Sequence, residues 1–160
     1  MIATKPQPFL NTREEARVRF LGMPTLIRST SESTNGVLAL VEHLTMPVGF
    51  ATPYHTHHLE DESFYMLEGE AAFICDGKWL KAGPGTFVFG PREIAHGFKI
   101  VGNAPARMLV FCTPAGFERF VLEMSEPDTN APPAPPDMAK LVTLAAKYQI
   151  DIHGPLPEEP

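Results

Sequence analysis

The sequence predicts an all-β fold, a double-stranded β-helix of jelly-roll type with a helical extension at its C-terminal end. Three observations predict it. Roughly ten short runs rich in β-branched, aromatic and leucine residues follow one another between residues 18 and 114, divided by turn residues at the spacing typical of sandwiches and barrels. No long helical period interrupts them. Beyond residue 116 the pattern changes to two amphipathic helical stretches separated by a proline-rich segment.

In chain order, a proline-containing tail leads to Asn11 or Thr12, which is placed to cap a short helical turn through Arg13, Glu14, Glu15 and Ala16. From Val18 the chain reads as extended: VRFLG, TLIRST, then GVLALVEHLT after the turn-rich SESTNG. Asn35-Gly36 is a turn signal because both residues tolerate positive φ, and Met46-Pro47 ends the third run. Glu42 and His43 are neighbours on that run, so at most one faces inward, and His43 is read as a hydrogen-bonded or surface histidine. Asp76-Gly77 and Gly83-Pro84-Gly85 divide EAAFICDGKWLKAGPGTFVFGP into three strands. Residues 101–105 separate HGFKIV from ARMLVFCTP, read as a further antiparallel hairpin.

The expected organisation is one domain over 1–160. Its barrel core spans about 18–114, a helix about 116–125, a semi-rigid linker 126–136, and a second helix about 137–150. In the first helix Phe117, Phe120, Val121 and Met124 share a stripe, with Glu118, Arg119 and Glu123 on the other face. Asp137 caps the second, where Met138, Leu141, Leu144, Ala145 and Tyr148 align, and HGPLPEEP is expected to fray.

A formal charge of −6 with no Lys/Arg stripe argues against nucleic-acid partners and anionic membranes. No signal-peptide run and no apolar stretch of spanning length occurs, so a cytoplasmic location is expected. Cys75 and Cys112 have no CxxC spacing and sit in apolar runs, which suits reduced, buried thiols. Neither a GxSxG elbow nor a phosphate-cradling glycine loop is present, so a serine triad and nucleotide chemistry lack support.

The chemistry concentrates in GFATPYHTHHLEDESFYMLEG, residues 49–69. His55 and His57 are one residue apart, so on a strand both imidazoles leave the same face, and parity turns His58 away. Glu62 opens a second run after a short polar connection that would fold the two strands together, setting a carboxylate beside the imidazoles. Glu60 and Asp61 read as a solvated loop. Two imidazoles and a carboxylate, with room for a third imidazole and solvent, suit iron, manganese, nickel, copper or zinc.

Gly49, His55, His57, Glu62 and Gly69 fill the pattern G-x5-H-x-H-x3,4-E-x6-G, and Gly85, Pro91 and His96 stand in register with G-x5-P-x-G-x2-H-x3-N. These are the two signatures of the cupins, and over roughly residues 36–113 the sequence resembles that family. Glu93 replaces the second signature's inner glycine and Ile100 its asparagine. The resemblance implies one divalent metal per chain held by His55, His57, Glu62 and His96. With these ligands inward, parity puts Phe64 and Met66, and Phe98 and Ile100, on the pocket face as candidate substrate-binding residues, and Lys99 outside. The family also implies a homodimer, since the short strands ahead of Val37 need partners and cupins often associate through such strands.

Four ligands leave one or two positions on a five- or six-coordinate metal. The expected function is a metal-dependent dioxygenase acting on a small hydroxylated aromatic or enolic compound. Glu62 is the catalytic base, as in the quercetinase-type cupins that the chain resembles. A non-catalytic metal- or ligand-binding cupin is the alternative; a sugar isomerase or epimerase fits an apolar wall poorly.

Overall fold

The computed structural model describes residues 7–12, 17–129, 132 and 135–159. The predicted helical turn through Arg13–Ala16 lies outside them. The elements run β1 (Arg17–Phe20), β2 (Met23–Ser29), α1 (Ser31–Thr34), β3 (Ala39–Met46), β4 (Tyr54–His57), β5 (Asp61–Glu68), β6 (Glu70–Cys75), β7 (Lys78–Ala82) and β8 (Phe87–Gly90). They continue with β9 (His96–Val101), β10 (Ala106–Thr113), α2 (Phe117–Met124), β11 (Glu126–Pro127), α3 (Met138–Lys147) and β12 (Ile150–Gly154).

Two antiparallel sheets face each other. One has the order β11-β1-β2-β3-β10-β5-β8 and the other β12-β4-β9-β6-β7. Period-two burial along the strands marks the inner faces: in β5 Glu62, Phe64 and Met66 are buried, and in β10 Met108, Val110 and Cys112. Phe64 from one sheet meets Phe73 and Phe98 from the other, with ring centroids 4.9 and 5.7 Å away. Each such side chain taken out of water contributes about 1.5–3 kcal/mol.

The expected jelly roll is therefore present, but two strand pairs differ from the sequence reading. Neither β4 and β5 nor β9 and β10 form a hairpin: β4 pairs with β9 and β12, and β5 with β10 and β8. The connections at 58–60 and 102–105 cross from one sheet to the other. A jelly roll closes by such crossovers, and a short polar connection looks the same in sequence whether it turns a hairpin or a corner.

Other local readings change for identifiable reasons. SESTNG is a helical turn, because Thr30 and Ser33 form a reciprocal capping box and Asn35 closes it at φ 54°. Glu118 is not on a solvated face but 1% exposed. Its carboxylate accepts from the backbone N–H of Ser31 and of Gly116, each at 2.7 Å, tying both helix starts together. The linker's first residues pair with β1 as β11. Ile150 is not the last residue of a helix: α3 ends at Lys147, Gln149 turns at φ 56°, and Ile150 begins β12 along β4, which takes in His153 and Gly154 from the start of the segment expected to fray. Finally, β1 and β2 find their partners within the chain.

Candidate metal centre

His55 and His57 project from β4, His96 from β9 directly opposite His55, and Glu62 comes from β5 in the facing sheet. One donor atom from each lies within 4.8 Å of every other. Glu62 Oε2 stands 3.0 Å from His96 Nε2, 3.5 Å from His57 Nε2 and 3.7 Å from His55 Nε2. His57, His96 and Glu62 are buried, while the His55 side chain keeps 13% exposure.

The far side of each ring fixes what these nitrogens can do. His55 Nδ1 lies 2.8 Å from the carbonyl of Pro53, and His96 Nδ1 2.8 Å from that of Ile94. His57 Nδ1 lies 3.3 Å from Glu60 Oε2. A carbonyl or carboxylate can only accept, so each Nδ1 carries the proton and each neutral ring aims an Nε2 lone pair inward. His57 Nε2 has no hydrogen-bond partner and no exposure. Three lone pairs and a carboxylate converging in a buried space, with no protein donor between them, is an arrangement that a cation stabilises, so the residues fit a divalent transition metal.

Without a cation, a proton takes its place. Burial would raise the Glu62 carboxyl, but His57, His55 and His96 outweigh it and hold Glu62 well below the usual carboxylate range. Burial likewise pulls His96 down, yet its hydrogen bond to Glu62 prevails and raises it, whereas for His55 burial dominates and lowers it.

The residues around the ligands modify the sequence reading. Glu60 is not in a solvated loop: it is 3% exposed and orients His57. His58 lies on the outer side, bonded to Glu93 and Asp151 at 2.8 and 2.9 Å. Glu93, standing where the signature has glycine, adopts φ 65°, so the turn before His96 keeps a left-handed residue without a glycine. Its N–H donates to the carbonyl of His57 at 2.8 Å, which holds the turn. At Gly69 a Cβ would stand 2.6 Å from the carbonyl of Pro105, so the signature's last glycine is needed for close approach as well as for φ 72°.

A chamber of about 60 Å³ opens from the ligands. That is room for roughly five waters. Phe64 and Phe98 line it as parity predicts; Met66 and Ile100 are fully buried in the core and do not reach it. Most of the remaining wall comes from residues that sequence reasoning did not assign: Phe20, His43, Phe117, Phe120, Leu141, Ile150 and Ile152. Five of these seven lie in the C-terminal extension. The alternation of IDIH after Gln149 was the available signal for the last two. An outer cleft of about 380 Å³ adjoins the chamber, sharing Phe50, Leu141 and Ile152 in its wall. No helix among the described residues is long and apolar enough to cross a membrane.

Residues 42–112 match the family described as Cupin domain. An uncharacterised protein of Methanocaldococcus jannaschii is 27% identical over 105 residues, covering 66% of this chain and 78% of that protein. The quercetin 2,3-dioxygenase of Bacillus subtilis is also 27% identical, over 101 residues; the match spans 63% of this chain but only 29% of that enzyme. Among solved structures, an RmlC-like cupin from Shewanella frigidimarina superposes with a TM-score of 0.58 at 18% identity, covering 72% of this chain and 99% of that one. The two sheets and their crossovers therefore have the cupin fold, and residues 42–112, which carry the three-histidine, one-glutamate cluster, are similar to the cupin domain family.

Proposed function

We propose that this protein is a metal-dependent dioxygenase acting on a small hydroxylated aromatic or enolic compound. The observation that carries this reading is the convergence of His55, His57, His96 and Glu62 beside a largely apolar chamber. Held by these four residues, a divalent transition metal would supply Lewis acidity toward a substrate oxygen and, where redox-active, electron transfer to dioxygen. Glu62 is ionised and accepts the proton of the incoming hydroxyl. Phe64 and Phe98 flank the ring, and the aromatic wall excludes water. The resemblance to a quercetin dioxygenase supports the reaction class. A sugar isomerase would need polar groups for several hydroxyls, and this wall offers few.

Oxygen uptake by protein loaded with iron, manganese, nickel or copper, against catechols and β-diketones, tests the reading. Consumption that disappears in Glu62→Gln, whose amide is a far weaker base, is the expected result. Compounds that bind and shift the metal's spectrum without consuming oxygen would replace the enzyme by a ligand-binding protein.

A further inference from the structure

One polar group in the chamber is left unexplained by the metal cluster. His43 is 5% exposed and lines the cavity, its ring stacked on Phe20 at 6.0 Å and 14°. Its Nδ1 lies 3.0 Å from Thr25 Oγ1, and Thr25 Oγ1 lies 3.1 Å from the carbonyl of Met23. The threonine has a single proton. If the hydroxyl donates it to Met23, it accepts from Nδ1–H and both bonds are made; the reverse assignment would leave the Met23 carbonyl without this donor. His43 is therefore fixed as the Nδ1–H tautomer, with an acceptor lone pair on Nε2. Burial pulls its pKa down to about 4, which keeps the ring neutral.

No described residue bonds Nε2, and it is not among the atoms sealed from solvent. The other polar side chains of the wall are committed. His55, His57 and Glu62 form the metal cluster, and Thr52 Oγ1 accepts from the N–H of Phe98 at 3.0 Å. Strand register sets the distance between the two polar regions. Glu62 shares a row with Cys112 and Ala39; His43 shares one with Met108 and Met66, two inward-facing rows further along. That step is about 13 Å of strand.

We propose that His43 Nε2 is a second anchor, selecting ligands that carry a hydrogen-bond donor at the end remote from the metal. The ligand class is then a ring with an anionic oxygen at one end, an apolar body and a hydroxyl or N–H at the other. The proposal rests on the reading of the chamber as a ligand pocket, and its test separates the two.

Zinc(II)-loaded protein, which is redox-silent, is titrated calorimetrically with benzoate, 4-hydroxybenzoate and 4-methoxybenzoate. The wild type should bind 4-hydroxybenzoate about three- to tenfold more tightly than the other two, the range expected for one hydrogen bond. His43→Phe keeps a ring against Phe20 and should abolish that preference, leaving zinc content unchanged. Thr25→Val removes the group that fixes the tautomer and should reduce the preference, which provides the test if His43→Phe does not fold. Equal binding of all three by the wild type, or a preference that persists in either variant, overturns the second anchor and leaves the pocket standing. Failure of all three to bind the wild type overturns both.

Discussion

Glu60 shows how much of the metal centre depends on side chains that hold no metal. Two ligand histidines rest their Nδ1–H on backbone carbonyls, but His57 rests its own on a buried carboxylate. A charged acceptor strengthens that bond and raises the basicity of the opposite nitrogen. Glu60→Gln should therefore lower metal affinity by about 10–100-fold while leaving the far-UV spectrum unchanged; competition with a chelator measures it, and unaltered affinity would make Glu60 a packing residue. The proton shared by His96 and Glu62 gives a second prediction. Because His96 is raised above its ordinary 6.5, a metal must displace a proton at pH values where a free imidazole has already lost one. Affinity should fall as pH drops toward and below that raised pKa, with the number of protons released per metal bound rising toward one from His96. Titration calorimetry in buffers of different ionisation enthalpy reads that number. His55 and His57 were legible from strand period, and the full candidate set with Glu62 and His96 from the match to the two cupin signatures. Glu60 and His43 were not, since nothing local says whether a carboxylate three residues past a histidine turns inward, or what faces a histidine across a sheet.

At the scale of elements, β12 was the largest departure from the sequence. Met138, Leu141, Leu144, Ala145 and Tyr148 carry the helical period, so the helix reading was locally consistent as far as Tyr148. What ends the helix is Gln149 in the left-handed region, a conformation that propensity does not announce. The consequence reaches the site, since β12 pairs with β4 through Ile150 opposite His57 and Ile152 opposite His55. Thr56, between the two ligands, is bonded to His153 at 2.8 Å. Ending the chain after Tyr148 would expose the edge of β4 and open one wall of the chamber. This truncation should lower both Tm and metal affinity; a protein with full zinc content and unchanged melting would show that β4 holds its histidines without support.

The whole molecule raises the question of how the outer face of the seven-stranded sheet is covered. Association through the leading strands was expected because they needed partners; β1 and β2 find these within the chain, which removes that motive for a dimer. Phe87 and Phe89 are 59% and 53% exposed on β8, beside the half-open Tyr65 of β5, and β8 ends its sheet. An edge strand flanked by exposed aromatics invites pairing with another chain. The facing residues Ser63, Tyr65, Phe87 and Phe89 carry no charge on a chain whose net charge is −6. A second copy related by a twofold axis would meet this patch with itself and without charge repulsion, which a self-complementary interface requires. We propose that the protein dimerises there. Light scattering at micromolar concentration should return twice 17.6 kDa for the wild type and 17.6 kDa for the double variant Phe87→Ser, Phe89→Ser, with metal content equal in both. A wild-type mass of 17.6 kDa removes the dimer; a dimeric double variant keeps it but moves it to another face.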